Sequence, residues 1–360
     1  MDEGYGLELL SVSFAAGIAA GGLLNSCAPE AYAEAGAFFI LWWLSAAAAL
    51  SGRFRGRVWT VMAAAFTCGV FCSLSSHISG TAGSPSFALR AAGRFSEAID
   101  EAGFRSSGTA PLAKALLLGD RSGLGRDVVS AFRRSGASHI LALSGLHLGI
   151  VYSLILALWA PFGGLRSAKR IRSLASIGLC GFYTVMTGAG PSVVRAFIFI
   201  VFNEAATLSG RERSARKILS GALMLQLALS PGAITSAGFQ LSYLAVAGII
   251  YIHPFLRDLY PSGGKGDVPA MVWNAATLSI SCQVTTAPLV WILFRTFPEY
   301  FLITNLLALP LTELLIVSAL SCTALSSAGF ADGTLAAVTD FLARALTGLL
   351  DAIASMPDGA

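Results

Sequence analysis

Long apolar runs separated by short polar breaks are the main pattern of this chain. A helix needs about 20 predominantly apolar residues to cross a bilayer. About eleven runs approach that length, although Pro288, Pro298 and Pro310 interrupt the late ones. The runs are residues 7–27, 35–51, 57–78, 137–160, 171–189, 192–209, 215–231, 234–253, 269–293, 300–326 and 333–355. The pattern predicts an all-α polytopic membrane protein with about 10–11 transmembrane helices, several of them kinked or broken.

The composition agrees with this prediction. The chain of 360 residues is 55% hydrophobic and only 12% charged, about half the charged fraction of an average soluble protein. The acidic N-terminus, MDEGYGLELL, lacks the basic region of a signal peptide, so we expect the first run to remain as an anchor. The net charge of +4 is too small to indicate a nucleic-acid partner by itself. The six cysteines lie in or beside apolar runs, and we predict no disulfide, metal or cofactor.

Lysine and arginine are unevenly distributed among the loops. They lie in the loops after the second, fourth, sixth and eighth runs, whereas the short loops at 28–34, 188–191 and 230–234 have none. Basic loops face the cytoplasm. This bias predicts a multi-pass protein of the cytoplasmic (inner) membrane with a cytoplasmic N-terminus. An eleventh span would place the C-terminus outside, and we leave the side of that end open.

A more polar stretch divides the chain into three regions. Residues 1–78 are predicted to form a three-helix membrane anchor, residues 79–136 a short extracytoplasmic amphipathic segment, and residues 137–360 the transmembrane core. Short helices are expected in the middle region, within 87–104, 111–118 and 124–134. Its basic face either lies on the lipid surface or forms an outer basic collar around an entrance. The collar residues would be Arg121, Arg126, Arg133 and Arg134.

Two histidines and a Ser-Gly pair lie near the start of the run at 137–160. We expect one helix here, with Ser144 and Gly145 in its middle and His139 and His147 about 12 Å apart along it. A Ser-Gly pair permits a kink or close packing, or the helix opens locally to line a water-filled path. Ionisable residues at this depth usually face a cavity or a partner. The motif contains no acidic residue to orient an imidazole, so we reject a Ser-His hydrolase and expect no enzyme.

Arg195 is a charged residue inside an apolar run. It lies one turn after Pro191, which suits the first turn of a helix. The free N–H groups of a helix N-terminus together with an arginine favour a phosphate oxygen. Alternatively, the arginine reaches the outer interface or pairs with Glu204 or Glu313. Glu313 itself suits a buried ion pair or a proton relay equally.

Uncharged polar residues complete the candidate site. Gln240 and Asn305 either bridge helices or contact a backbone that passes through a pore. Phe239 and Tyr243 are four residues apart on one helical face, where they either pack in the core or stack on bases. The candidate channel-lining residues are His139, Ser144, Gly145, His147, Arg195, Gln240 and Asn305.

Four sequence motifs occur in a fixed order along the chain. They are ALLLGDRSGLGRDVVSAFRRSGASHILALSGLHLGIV (115–151), GAGPSVVRAFI (188–198), SPGAITSAGFQLSYLAVAGI (230–249) and ITNLLALPL (303–311). They resemble, in the same order, elements of ComEC-type competence proteins, which are inner-membrane channels for transforming DNA. Four ordered motifs make this a more specific resemblance than any single one.

The resemblance implies a channel component that passes single-stranded DNA into the cytoplasm during natural transformation. The implied partners are single-stranded DNA, the lipid bilayer, the DNA-receptor and translocase proteins of the uptake machinery, and a separate nuclease. Residues 79–136 are too few for the family's oligonucleotide-binding-like domain, and no His-x-His-x-Asp-His run marks its metallo-β-lactamase-like domain. No GxxxxGK[ST] loop occurs, so we expect the energy to come from another protein. A homo-oligomer and an inactive family remnant are left open.

A proton-coupled permease for a small solute is the rival hypothesis, with Glu313 and the histidines at a site near the midplane. The two hypotheses differ in their response to substitution. A permease should lose coupling in E313Q, whereas a DNA path should tolerate E313Q better than R195A. Uptake of labelled DNA into the cytoplasm of cells carrying each variant measures the difference. A stronger loss in E313Q than in R195A would contradict the DNA path.

Overall fold

The computed structural model describes residues 6–27, 65–66, 68–70, 86–162, 166–210, 214–260, 267–295, 299–330 and 333–356. Within these ranges the chain is helical and contains no strand. The helices are α1 (Gly6–Cys27), α2 (Ser86–Asp100), α3 (Thr109–Leu118), α4 (Arg126–Arg134), α5 (Ser138–Leu141), α6 (Gly145–Trp159), α7 (Arg166–Met186), α8 (Pro191–Ser209), α9 (Ala215–Leu229), α10 (Ala237–Tyr251), α11 (His253–Arg257), α12 (Val268–Phe294), α13 (Phe301–Ser327) and α14 (Gly333–Ala354).

The apolar runs and the helices coincide over most of the described chain, which confirms the prediction of an all-α membrane protein. By length and composition, three helices in the described ranges are long and apolar enough to cross a bilayer, namely α8, α12 and α13. Helices α1, α3, α6 and α10 contain shorter apolar stretches. The predicted runs at 35–51 and 57–78 lie outside the described residues, apart from helical fragments at 65–66 and 68–70.

Helices α12 and α13 continue through Pro288 and Pro310, where the sequence predicted interruptions. Each helix is 27 residues long. A proline inside a helix removes one N–H donor, and neighbouring helices and hydroxyl side chains can offset that loss in a membrane protein.

The chain divides into two compact units. The first comprises Met1–Gly83 and Ile198–Val246, and the second comprises Ser84–Phe197 and Ala247–Ala360. In the first unit α1 packs against α9. Helix α1 also contacts the helical fragment at 65–66, where a Cβ atom at Gly17 would lie 1.9 Å from the Phe66 carbonyl oxygen, so only glycine fits there. Small residues let membrane helices approach this closely.

The polar segment before residue 137 packs into the core of the second unit. Leu112 and Leu116 of α3 and Phe132 of α4 are fully buried. They belong to one apolar cluster with Leu315 of α13 and Leu346 of α14. This part of the segment is therefore covered by protein, whereas Phe87, Leu89 and the arginines of the segment remain exposed.

Asp340 of α14 fastens the loop before α3. Its carboxylate accepts hydrogen bonds from the Arg105 N–H at 2.8 Å, the Ser106 N–H at 3.4 Å and the Thr109 hydroxyl at 2.6 Å. Gly108, the N-cap of α3, has no side chain to cap the helix. The first N–H groups of a helix lack intrahelical partners and favour a negative charge. Asp340 supplies that charge from another helix, and its side chain is buried with 4% exposure.

We expect D340A to destabilise the protein, because it leaves two partly buried N–H groups and the buried Thr109 hydroxyl without their acceptor. The cost should be about 1–3 kcal/mol. The exposed Asp351 lies on the same helix, and D351A is the matched control with an expected change near zero. Thermal unfolding of the purified protein in detergent measures both variants. Equal unfolding midpoints would show that Asp340 does not fasten the loop.

Candidate functional site

The run at 137–160 forms two helices, α5 and α6, with an extended connection between them. Ala142 has φ −79° and ψ 124°, and Ser144 has φ −119° and ψ 171°. The prediction that Ser144 and Gly145 lie in the middle of one helix is therefore wrong. Ser144 is the N-cap of α6, and its hydroxyl accepts a hydrogen bond from the Leu146 N–H at 3.2 Å. Serine is among the residues most favoured at this position because its oxygen replaces a missing helical acceptor.

His147 closes a reciprocal cap with Ser144. Its Nδ1 accepts a hydrogen bond from the Ser144 N–H at 3.1 Å and lies 3.0 Å from the Ser144 hydroxyl. Because a backbone N–H can only donate, Nδ1 carries no proton in this arrangement. The neutral ring therefore carries its proton on Nε2. His147 is 1% exposed, and its Nε2 has no hydrogen-bond partner among the described residues.

His139 lies in a different environment from His147. It belongs to the four-residue helix α5, and its side chain is exposed. Its Nδ1 lies 3.2 Å from the Gly136 carbonyl oxygen. The expected separation of the two histidines along a single helix does not apply, because the chain is extended between them.

Gly145, the first residue of α6, packs against the first two turns of α8. A Cβ atom at this position would lie 3.2 Å from the Ala196 Cβ, 3.3 Å from the Arg195 Nη2 and 3.9 Å from the Ser192 carbonyl oxygen. Arg195 is 6% exposed. The glycine thus brings the N-termini of two helices and a buried guanidinium together.

The turn before α8 has an unusual backbone. Gly188 and Ala189 adopt φ values of +82° and +51°. Positive φ is uncommon for a residue with a side chain, so this turn directs the chain into α8 through a conformation that glycine accepts more readily than alanine.

The Leu-Gly-Asp-Arg element packs against the extended connection between α5 and α6. Gly119 ends α3 with φ +77°, and a Cβ atom there would lie 2.4 Å from the Leu143 Cδ1. The Arg121 Nε donates to the Leu141 carbonyl oxygen at 3.1 Å. This carbonyl lies at the end of α5, where the helix no longer supplies a donor. Asp120 of the element is also bonded, since the hydroxyl and N–H of the following Ser122 donate to its carboxylate and lower the pKa of that carboxyl group.

The predicted collar arginines are all exposed. Arg121 has one nitrogen engaged with Leu141, and Arg126, Arg133 and Arg134 lie on α4. Their role in binding an incoming strand stays a prediction.

Gln240 belongs to the first unit and has a local partner. Its Nε2 donates to the Ile234 carbonyl oxygen at 2.7 Å. The rings of Phe239 and Tyr243 are buried, with their centroids 4.6 Å apart, and the Tyr243 hydroxyl donates to Gln226. Burial of both rings favours core packing over a stacking surface for bases.

Asn305 is half-buried at the start of α13. Its Oδ1 has no hydrogen-bond partner among the described residues. The neighbouring Thr304 donates its hydroxyl to the Ser135 carbonyl oxygen at 2.7 Å, which joins α13 to the chain just before α5. This contact places the fourth motif beside the first.

Glu313 does not form the buried ion pair that the sequence suggested. Its side chain is exposed, and no ion pair in the described part of the chain involves it. The reason is its position on the helix, because the core-facing side of this turn is occupied by Thr312, Leu315 and Ile316.

Sequence reasoning missed Asp340 and the cavity beside it. The cavity has a volume of about 370 Å³ and contains none of the motif residues; it is lined by Arg105, Ser106, Ala337, Asp340 and Arg344. The available signal was a pair of charges, Asp340 and Arg344, one turn apart in the last apolar run. Among the described residues, no cluster of three or more His, Cys, Asp or Glu could hold a metal ion.

These features define a class of protein: an all-helical membrane protein in which a capped helix break meets a buried arginine. The chain belongs to the competence protein family, whose family model matches residues 116–359. This membership confirms the resemblance carried by the four motifs, and it places the break, Arg195 and Asp340 within the family region.

Comparison with individual proteins agrees with this assignment. The chain is 30% identical over 170 residues to ComE operon protein 3 of Bacillus subtilis (strain 168), covering 47% of this chain and 21% of that protein. It is 26% identical over 210 residues to the uncharacterized protein YcaI of Escherichia coli (strain K12), covering 56% and 27%. An uncharacterized protein of Aquifex aeolicus (strain VF5) is 27% identical over 198 residues, covering 55% and 42%. The aligned part is thus less than half of each relative's length. No solved structure matches the chain.

We expect G145V to weaken the contact between α6 and α8, because its Cβ would already press on Ala196 and Arg195. The cost of such overpacking is about 1–3 kcal/mol. Gly149 lies one turn later in the same helix, with nothing within 4 Å of a Cβ atom, so G149V is the matched control. Thermal unfolding in detergent measures both variants. If G149V lowers the midpoint as much as G145V, the close approach at Gly145 does not stabilise the protein.

Proposed function

We propose that this chain provides the membrane path by which single-stranded DNA enters the cytoplasm during natural transformation. Family membership supports a role in DNA uptake for competence. The observation that carries the proposal is the junction at Gly145, where the N-termini of α6 and α8 lie against each other beside Arg195. Two of the family motifs, 115–151 and 188–198, supply its residues, which supports the proposal that they act as one site.

The electrostatics of this junction suit a polyanion. Each helix N-terminus carries a partial positive charge. Discontinuous membrane helices direct such ends at anionic groups of a substrate. A buried arginine adds a full charge and two parallel donors that match phosphate geometry. Such contacts are made to phosphates and not to bases, so they do not depend on the base sequence.

The other candidate polar residues would have supporting roles in this proposal. His139 and the exposed arginines Arg121, Arg126, Arg133 and Arg134 would gather the strand at the outer face. Gln240 and Asn305 would contact the strand or hold helices in place. The membrane is the cytoplasmic membrane with the N-terminus inside. DNA-receptor, translocase and nuclease proteins would act from other chains.

The permease alternative receives less support from the structure. Its proton-relay residue, Glu313, is exposed and lies on the side of α13 away from the core. A proton-coupled site near the midplane would place such a carboxylate inside the protein.

The test is uptake of labelled DNA in the cell that encodes this chain. We expect deletion of the gene to abolish DNA that is protected in the cytoplasm. R195A should reduce it about tenfold or more, since a hydrogen bond to a charged group is worth about 1.5–3 kcal/mol. The control is R90A, because Arg90 is exposed on α2, and it should behave like the wild type. Unchanged uptake in the deletion strain would overturn the proposal.

A further inference from the structure

We infer that the Nε2–H of His147 is a hydrogen-bond donor to a phosphate oxygen of the strand at the junction of α6 and α8. This inference rests on the proposed function and names the atom that would contact the substrate there. It assigns His147 a second role beside its cap, because the two nitrogens of the ring face different groups.

The first step is the orientation of the ring. Nδ1 is held at 3.1 Å from the Ser144 N–H and 3.0 Å from the Ser144 hydroxyl. These two contacts place the imidazole over the first turn of α6 and direct Nε2 away from the N-cap. Since Nδ1 is occupied as an acceptor, Nε2 must carry the proton of the neutral ring.

The second step is the free-energy cost of leaving the buried Nε2–H without an acceptor. His147 is almost completely buried, and Nε2 has no acceptor in the described part of the chain. Buried polar groups in proteins nearly always have a partner, and an exception calls for a ligand, a water molecule or an ion. An oxygen of a passing ligand would supply the missing acceptor.

The third step is the charge of that ligand. The N-terminus of α6 lies against the N-terminus of α8, and the Arg195 Nη2 lies 3.3 Å from the Cβ position of Gly145. All three features favour an anion. A neutral acceptor would satisfy Nε2 alone, whereas a phosphodiester oxygen would also carry the negative charge that these features favour. A neutral donor also binds phosphate more weakly than a charged one, which suits a strand that must move on.

The identity of the capping residue provides the test. A capping box ordinarily has glutamate or glutamine at the position of His147, and either side chain can bond the N-cap N–H. H147Q keeps the cap and offers an N–H donor. H147E keeps the cap but offers only acceptor oxygens and a negative charge. The two variants therefore match in size and capping and differ in the property that the inference requires.

The experiment uses the full chain, purified in lipid nanodiscs, with a fluorescent oligothymidylate as the probe. We expect H147Q to bind within about threefold of the wild type and H147E to bind at least about tenfold more weakly, about 1.4 kcal/mol. Unfolding midpoints verify that both variants fold. An oligothymidylate with neutral methylphosphonate links should bind all three proteins equally weakly. Equal binding of the charged probe by H147Q and H147E would overturn the inference.

A second pair of variants decides the matter if H147E does not fold. H147Q offers an N–H donor, whereas H147M removes the donor from a side chain of similar length. We expect H147Q to retain binding of the charged probe and H147M to lose it. Equal binding by this pair would also overturn the inference.

The inference and the proposed function fail in different ways. If deletion of the gene abolishes DNA uptake but H147Q and H147E bind and transport alike, the role of His147 is only structural and the proposed function stands. If the two variants differ in binding but deletion leaves uptake unchanged, the junction binds phosphodiesters and the proposed path is wrong.

Discussion

Backbone groups freed by a helix break must find partners inside an apolar protein, and this constraint organises the second unit. The extended residues between α5 and α6 release a carbonyl at the end of one helix and N–H groups at the start of the next. Leaving such groups unpaired in hydrocarbon costs several kcal/mol each. Arg121 takes the Leu141 carbonyl, and Ser144 and His147 cap α6. The primary role of these motif residues is thus to stabilise the non-helical backbone between α5 and α6.

The same break has an electrostatic consequence. Helix α6 begins at Gly145. Because this residue has no side chain, the first two turns of α8 can pack closely against the N-terminus of α6. Two helix ends of the same sign and a guanidinium then share one place. Such a group of positive ends favours an anion nearby. Under the proposed function this potential would act on a polyanion, which is why we propose a role for the junction and not for the collar alone.

The polar segment before residue 137 is also attached to the last two helices, α13 and α14. Asp340 holds the loop before α3, and Leu112, Leu116 and Phe132 pack against α13 and α14. The Leu-Gly-Asp-Arg element follows α3 directly, so its contact with the break depends on how firmly α3 is held. Stability of the core and geometry of the junction are therefore linked through α3.

The sequence alone determined the fold class, the bounds of most helices and the family, because long apolar runs admit helices and little else in a bilayer. It also singled out Ser144, Gly145, His147 and Arg195. Tertiary structure decided what these residues do. Helical periodicity could not show that α5 ends at Leu141 and that Ser144 caps a new helix, since this depends on Arg121 and α8 holding the extended connection. Packing alone decided that Glu313 is exposed, and that Asp340 bonds Arg105 across 235 positions, because the direction of a side chain is set by the helices that surround it.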